Sequence, residues 1–125
     1  MMIVPRDKCD IEACKQLAVA TDSQVLAALP ELLEWLQDLN WPVAGHIIVR
    51  VSLLEVNLDA FLLPILTSTD DDWKYWILSG LMPELPGRLS TLMIDQLVRM
   101  RDQPTVSEQK EEVDIESRAL LEAKG

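Results

Sequence analysis

The chain has 125 residues, of which 49% are hydrophobic, so intrinsic disorder is disfavoured and one compact domain over residues 1–125 is expected. Its formal net charge of −10 disfavours nucleic-acid binding, because phosphate contacts need clustered Lys and Arg side chains. The same charge suits general solubility or a basic protein partner. Leucine dominates the apolar residues and only four glycines are present, which favours helices over strands.

The N-terminal residues MMIVPRDKCD have no apolar core of the kind that a secretory signal needs. No stretch of the chain reaches the roughly 18 apolar residues of a membrane-spanning helix. We therefore expect a cytoplasmic protein without a membrane partner. Cys9 and Cys14, with His46 as the single histidine, do not supply the ligand pairs of a zinc site. We expect two ordinary thiols, no metal and no cofactor.

The first half of the chain carries clear helix signals. An extended lead-in over 1–8 precedes Asp10, a good N-cap for a helix over Ile11 to Ala18. Thr21, Asp22 and Ser23 offer a second helix start. The amphipathic stripe that follows runs to Leu39 but contains Pro30, which removes a backbone hydrogen bond. We expect either a break near Ala28 or one kinked helix.

The residues Asn40-Trp41-Pro42 predict a sharp turn. Asn40 tolerates the left-handed backbone that ends helices, and Trp41 precedes a proline, which disfavours helical backbone. Pro42 suits the first position of a new helix. These signals predict helices over 30–39 and 42–54 that fold back on each other. The second of them is apolar nearly all round, which is typical of a helix covered on several sides.

The second half continues in the same style. Asn57 or Asp59 caps a helix that contains Pro64, and the aspartates at 70–72 cap the next helix, which carries Trp73 and Trp76. A further helix runs from Leu89 to about Arg101. From Ser107 a highly charged helix follows, and we expect the segment 105–125 to be a terminal cap that faces solvent.

A weak internal repeat suggests the architecture. Trp41 and Trp73 are thirty-two residues apart, and each follows an Asn or Asp at the start of a helix. Thr105 and Val106 mark the position of a third turn. Helix pairs repeating at this interval are typical of an α-solenoid. We predict an all-α fold, a HEAT-like α-α superhelix of about three antiparallel helix pairs.

Two polar groups have alternative interpretations. The aspartates at 70–72 resemble a Mg²⁺-binding segment, but helix capping is the favoured interpretation because no second carboxylate cluster accompanies them. His46 and Arg50 are four residues apart and face the same way. They either bind an anion, or Arg50 pairs with a carboxylate, for which Asp38 and Asp72 are the candidates. We identify no catalytic residue, since one histidine supports no catalytic triad.

The tryptophans are the most informative residues for function. Four tryptophans accompany only one Tyr and one Phe, a biased use of aromatic side chains. They either pack helix pairs together or form an exposed platform, where Trp often dominates binding energy. The candidate binding residues are Trp41, Asp72, Trp73 and Trp76.

Several strings also point to a known family. They are LPELLEWLQDLNWPVA (Leu29 to Ala44), DDDWKYWIL (Asp70 to Leu78), PELP (Pro83 to Pro86) and the opening PRDKCDIEAC. Together they resemble the bacterial DUF5071 family over almost the whole chain, fading after about Arg101. Cys9 stands where an aromatic residue such as Phe is expected. The resemblance implies a small helical-repeat-like domain, and it supplies no activity and no catalytic residues.

Three functional hypotheses follow. The first is a non-enzymatic protein-binding module that uses the residues around Trp41, Asp72 and Trp73. The second is an immunity-type inhibitor whose acidic surface neutralises a basic toxin. The third is a small-ligand binder or enzyme around His46 and Arg50. The expected oligomeric state is a monomer or a weak homodimer.

Overall fold

A computed structural model of the chain describes residues 2–125, which form eight α-helices and no strand. The all-helical prediction is therefore confirmed. A π-helical segment over Ile77–Leu81 and a 3₁₀ turn over Met82–Glu84 follow the fifth helix. The eight helices are α1 (Ile11–Val19), α2 (Asp22–Glu34), α3 (Pro42–Ser52), α4 (Asp59–Leu66), α5 (Asp71–Trp76), α6 (Thr91–Asp102), α7 (Val106–Lys110) and α8 (Val113–Lys124).

The helices form two compact units along the chain. The first unit ends at Glu55 and contains α1 to α3, and the second spans Val56–Gly125 and contains α4 to α8. Each unit has its own fully buried leucines, including Leu17 and Leu32 in the first and Leu66 and Leu97 in the second. The single domain over residues 1–125 stays a prediction.

The starts of α1 and α2 follow the predicted capping signals. The Asp10 carboxylate accepts a hydrogen bond from the Ala13 N–H and so satisfies one free donor at the start of α1. Thr21 and Gln24 form a reciprocal capping box at the start of α2. Local side-chain chemistry is sufficient to set both starts.

The course of α2 differs from the prediction in its second half. Pro30 lies inside one helix, which agrees with the alternative of a single helix and excludes a break near Ala28. Because α2 ends at Glu34, the predicted helix over 30–39 is wrong. The Asp38 side chain accepts a hydrogen bond from the Asn40 N–H, a local turn that competes with helical bonding. This irregular segment also buries Leu36 completely. Burial of one leucine and a side-chain turn therefore replace the last helical turn.

Helix α3 begins at Pro42 as predicted, with Trp41 as its N-cap in extended conformation. Its principal helix partner is α1, and not the preceding helix. Val49 and Leu53 remain 64% and 63% exposed, so the expectation that this helix is covered on several sides is wrong. The buried face of α3 and its open face are both apolar, which is why composition alone did not separate them.

The second unit is built around the α6–α8 pair. Helices α5 and α7 and the π-helical segment also pack on α8, and α4 packs on α6. Asn57 accepts a hydrogen bond from the Asp59 N–H, and Asp70 caps α5 through the Trp73 N–H. Capping of α5 by Asp70 agrees with the prediction. The predicted capping of α4 by Asn57 or Asp59 is wrong, because its N-cap is Leu58, which makes no side-chain hydrogen bond.

The predicted C-terminal capping helix is two helices. Glu112 adopts a left-handed backbone (φ 62°) between α7 and α8, and this conformation breaks the helical hydrogen-bond pattern. Val113, Ser117 and Leu120 are buried, with exposures of 0%, 0% and 3%. One side of α8 is therefore part of the core, and the role of the segment 105–125 as a terminal cap stays a prediction.

The two tryptophans of the suggested repeat occupy different helical positions. Trp41 is the N-cap of α3, whereas Trp73 is the third residue of α5, behind the cap Asp70. Trp76 ends α5, and the π-helical segment follows it. The spacing of thirty-two residues thus relates two different helix starts. The three-pair superhelix stays a prediction.

Gly45 and Gly87 provide a paired test of the backbone conformations assigned to them. Gly45 lies in α3 with open space where a methyl group would stand, so Gly45→Ala should stabilise the protein by about 0.5–1 kcal/mol. Gly87 also has open space but adopts φ +83°, so Gly87→Ala should destabilise it by about 1–2 kcal/mol. Urea denaturation followed by circular dichroism measures both changes. Shifts in the same direction would contradict the two assigned conformations.

Candidate functional site

The first unit has a groove between α1 and α3 that is lined mostly by apolar side chains. Its volume is about 470 Å³, and it is lined by Cys14, Ala18, Pro42, Gly45, His46, Val49, Arg50 and Leu53. The lining residues of α3 recur at steps of three and four, so they form one continuous face of the helix. On the α1 side the groove is lined by the small side chains of Cys14 and Ala18. An aliphatic surface is therefore open to solvent in this groove.

Arg50 is the buried polar residue among those that line this groove. It is only 9% exposed, and its Nη2 donates hydrogen bonds to the Ala20 carbonyl at 2.9 Å and to Asp22 at 2.7 Å. Ala20 caps the end of α1 and Asp22 begins α2, so this side chain joins three helices. A carboxylate partner was predicted, but the candidates Asp38 and Asp72 are wrong.

His46 lies one helical turn before Arg50 and lines the same groove. Its side chain is exposed, whereas Arg50 is buried. Among residues 2–125, no hydrogen bond or ion pair joins the two. The structure therefore brings the predicted pair to one groove but gives the two side chains different surroundings.

The thiols of the first unit have different exposure. Cys9 is exposed and Cys14 is buried, and both are free. Burial raises the pKa of the Cys14 thiol, and the nearby Asp10 carboxylate raises it further. A raised pKa keeps the thiol protonated and weakly nucleophilic. Cys14 is therefore suited to packing in the wall of the groove.

A second cleft, of about 600 Å³, lies in the second unit. All ten of its lining residues are polar: Thr67, Ser68, Thr69, Asp71, Lys74, Gln96, Arg99, Thr105, Ser107 and Glu108. The two carboxylates and two cationic side chains among them balance in charge. The residues come from the α4–α5 turn, α5, α6 and the start of α7.

Glu108 is the centre of an ionic network in this cleft. Its side chain is 1% exposed and accepts two hydrogen bonds from Arg99, at 2.6 and 2.7 Å, and one from Lys74 at 3.1 Å. It also accepts the Thr105 N–H at 2.8 Å as part of a capping box. Lys74 Nζ also forms an ion pair with Asp71, 2.7 Å from its Oδ1. Three helices are thus joined by buried charges.

The protonation state of Glu108 indicates a structural role. Burial raises the pKa of its carboxyl, but the hydrogen bonds from Arg99, the Thr105 N–H and Lys74 outweigh burial and hold the pKa at about 2. The hydrogen bond to Glu108 also raises the pKa of Arg99. A general acid or base works best when its pKa lies near the working pH. This carboxylate is therefore fixed as an ion near neutral pH.

The three aspartates before α5 have separate roles. Asp70 caps the helix, Asp71 contacts Lys74, and Asp72 is exposed. Capping by Asp70 agrees with the favoured interpretation of this segment. Within residues 2–125, no group of three or more His, Cys, Asp or Glu side chains could hold a metal ion.

The predicted aromatic residues are divided between the two units. Trp41 lies in the first unit, where it packs edge-to-face on Trp35 with ring centroids 5.6 Å apart. Asp72, Trp73 and Trp76 lie in the second unit, where Trp76 packs edge-to-face on Tyr75 at 5.0 Å. All four tryptophans are partly buried. A shared binding face of these residues stays a prediction.

Two features were missed at the sequence level. The exposed stripe of Val49 and Leu53 could have been found, because it repeats at helical spacing opposite the buried Ile47 and Val51. The Glu108 capping box matches the pattern of a threonine followed three residues later by Glu. Its ionic partners Lys74 and Arg99 had no comparable local signal.

The described chain is all-helical, with an apolar groove in its first unit and a buried ionic network in its second. No helix within residues 2–125 combines the length and the apolar content needed to cross a membrane. A family model described as Domain of unknown function (DUF5071) matches residues 3–121, and the chain belongs to this family. The match continues well past Arg101, so the fading predicted there is wrong. A comparison with curated proteins finds no match.

The ionic network makes stability depend on pH in a defined way. Glu108→Gln should lower the free energy of unfolding by about 2–3 kcal/mol, less than for a fully buried pair because Arg99 is 36% exposed. The folded-state pKa lies below the ordinary value of 4.5, so this contribution is complete above about pH 4.5 and is lost as pH falls towards 2. Urea denaturation of both proteins from pH 7 to pH 3 measures the difference.

Glu122→Gln is the matched control, because Glu122 is exposed on α8. It should change stability little at any of these pH values. Asp10 also has a pKa lowered to about 2, chiefly by its hydrogen bond to Arg6, but this effect is common to all variants and cancels. A difference between wild type and Glu108→Gln that stays constant down to pH 3 would contradict the assigned role.

Proposed function

We propose that the chain is a non-enzymatic protein-binding module whose binding surface is the groove between α1 and α3. The observation that carries the proposal is the exposure of Val49 and Leu53, at 64% and 63%, on successive turns of the same helix. When a partner covers exposed aliphatic side chains in a groove, removal of their apolar surface from water stabilises the complex. Interaction between a helical groove and an apolar segment is a common mode of recognition.

A second candidate is the acidic inhibitor of a basic partner. The net charge of −10 favours it, because electrostatic complementarity accelerates association with a cationic protein. Such binding weakens steeply as salt screens the charges. Binding through the apolar groove depends much less on salt, so ionic strength separates the two candidates.

The wider biological setting belongs to the same proposal. The unpaired thiols Cys9 and Cys14 suit a reducing bacterial cytoplasm. A HEAT-like superhelix of about three pairs would suit a binding role, because stacked helix pairs create extended binding surfaces. The thirty-two-residue spacing of Trp41 and Trp73 is the support for that arrangement.

Affinity capture from native cytosol tests the groove directly. The double variant Val49→Asp/Leu53→Asp should reduce the recovery of a specific partner by about tenfold or more, because two aliphatic contacts are replaced by charges. The control is Ile115→Asp, which changes a 52% exposed residue on α8. Quantitative mass spectrometry compares the proteins recovered by each tagged chain, and circular dichroism checks that all variants fold.

The captures also test the alternatives. Equal recovery by the wild type and the groove variant would contradict the groove as the binding surface. A partner lost with Trp73→Ala but retained by the groove variant would favour the aromatic residues. Recovery that falls sharply between low and high salt, with a basic partner, would favour the inhibitor.

A further inference from the structure

The groove carries a charge of one sign within an acidic protein. None of its lining residues is Asp or Glu, and its polar members are His46 and Arg50, whereas the whole chain has a net charge of −10. Asp22, which pairs with Arg50, is 63% exposed and is not part of the lining. The groove is thus the place where this chain can accept a negative group next to an apolar one.

Some N–H donors of the Arg50 guanidinium have no acceptor among the described residues. Both of its hydrogen bonds start from Nη2, so among residues 2–125 neither Nε nor Nη1 has an acceptor. Neither atom is among the fully buried polar atoms without a partner, so both keep contact with solvent. A guanidinium carries five N–H donors, and an anion satisfies the remaining ones better than a neutral group does.

We propose, building on the function proposed above, that the occupant of the groove is an amphipathic helix of a partner protein that carries a carboxylate beside its aliphatic face. Its aliphatic side chains pack on Val49 and Leu53, and its Asp or Glu side chain accepts a hydrogen bond from Arg50. The positive charge of Arg50 favours this chemistry over a basic helix, which the guanidinium would repel.

The dimensions of the groove fit a helical occupant. Helix α3 has 11 residues, which corresponds to about 16 Å, or three turns of a partner helix at the same rise. Gly45 lines the groove, and a methyl group at this position would meet no other atom within 4 Å. The α1 side of the groove presents only the small side chains of Cys14 and Ala18.

A helical peptide library selected against the full chain tests the proposal. The scaffold holds leucines at helical spacing, and the flanking positions vary among Glu, Gln, Lys and Ala. Counter-selection against Gly45→Glu removes peptides that bind elsewhere, because this variant places a charge in the groove without a steric clash. Gly45→Ala is the matched control and should retain binding. The expected result is enrichment of Glu over Gln and Lys at one flanking position.

Binding measurements by fluorescence anisotropy then link the carboxylate to Arg50. Replacing the enriched Glu of a selected peptide by Gln should weaken binding to the wild type by about tenfold. Asp22→Asn removes the carboxylate that competes for Arg50, and it should tighten binding of the Glu peptide severalfold while leaving the Gln peptide unchanged. The capping box of Thr21 and Gln24 is intact in this variant, so α2 keeps its start.

The outcomes separate this inference from the proposed function. Peptides that bind Gly45→Glu as well as wild type would contradict the groove itself. Groove-dependent peptides with Lys enriched, or with no preference for Glu, would retain the groove and overturn the carboxylate partner. An equal response of the Glu and Gln peptides to Asp22→Asn would likewise overturn the role assigned to Arg50.

Discussion

The first unit depends on one charge-assisted contact, the guanidinium of Arg50 bound to the Ala20 carbonyl and to Asp22. The end of α1, the start of α2 and the last turn of α3 meet at this side chain, and α3 packs on α1. A buried arginine requires such partners, because a desolvated charge without them is costly. The contact leaves the outer face of α3 free, and that face forms the groove.

The second unit also joins three helices through charged side chains, but it uses more of them. Glu108 joins α5, α6 and α7 through Lys74 and Arg99, and its low pKa reflects how strongly these partners favour its ionised form. The charges of this network balance and its members bond to one another. A structural role in joining the helices therefore explains these charged side chains. The groove differs in this respect, because its apolar side chains and part of its arginine remain without partners among the described residues.

Local signals made much of the fold predictable, and tertiary packing decided the rest. The caps Asp10, Thr21 and Asp70 act on neighbouring N–H groups, so the sequence alone locates these helix starts. The early end of α2 depends on burial of Leu36, a tertiary effect that periodicity does not contain. For the groove, sequence identified His46 and Arg50 but not Val49 and Leu53, because an apolar residue is equally consistent with a core face and an open one.

The central claim is that the groove is covered by a partner in the cell, and site-specific photo-crosslinking tests it most directly. A photoreactive side chain at Leu53, which is 63% exposed, should give a discrete adduct with one protein in living cells. Adding Gly45→Glu should abolish this adduct, and the same photoreactive side chain at Ile115 on α8 should not produce it. The absence of any adduct at position 53, or an adduct that survives Gly45→Glu, would contradict the claim.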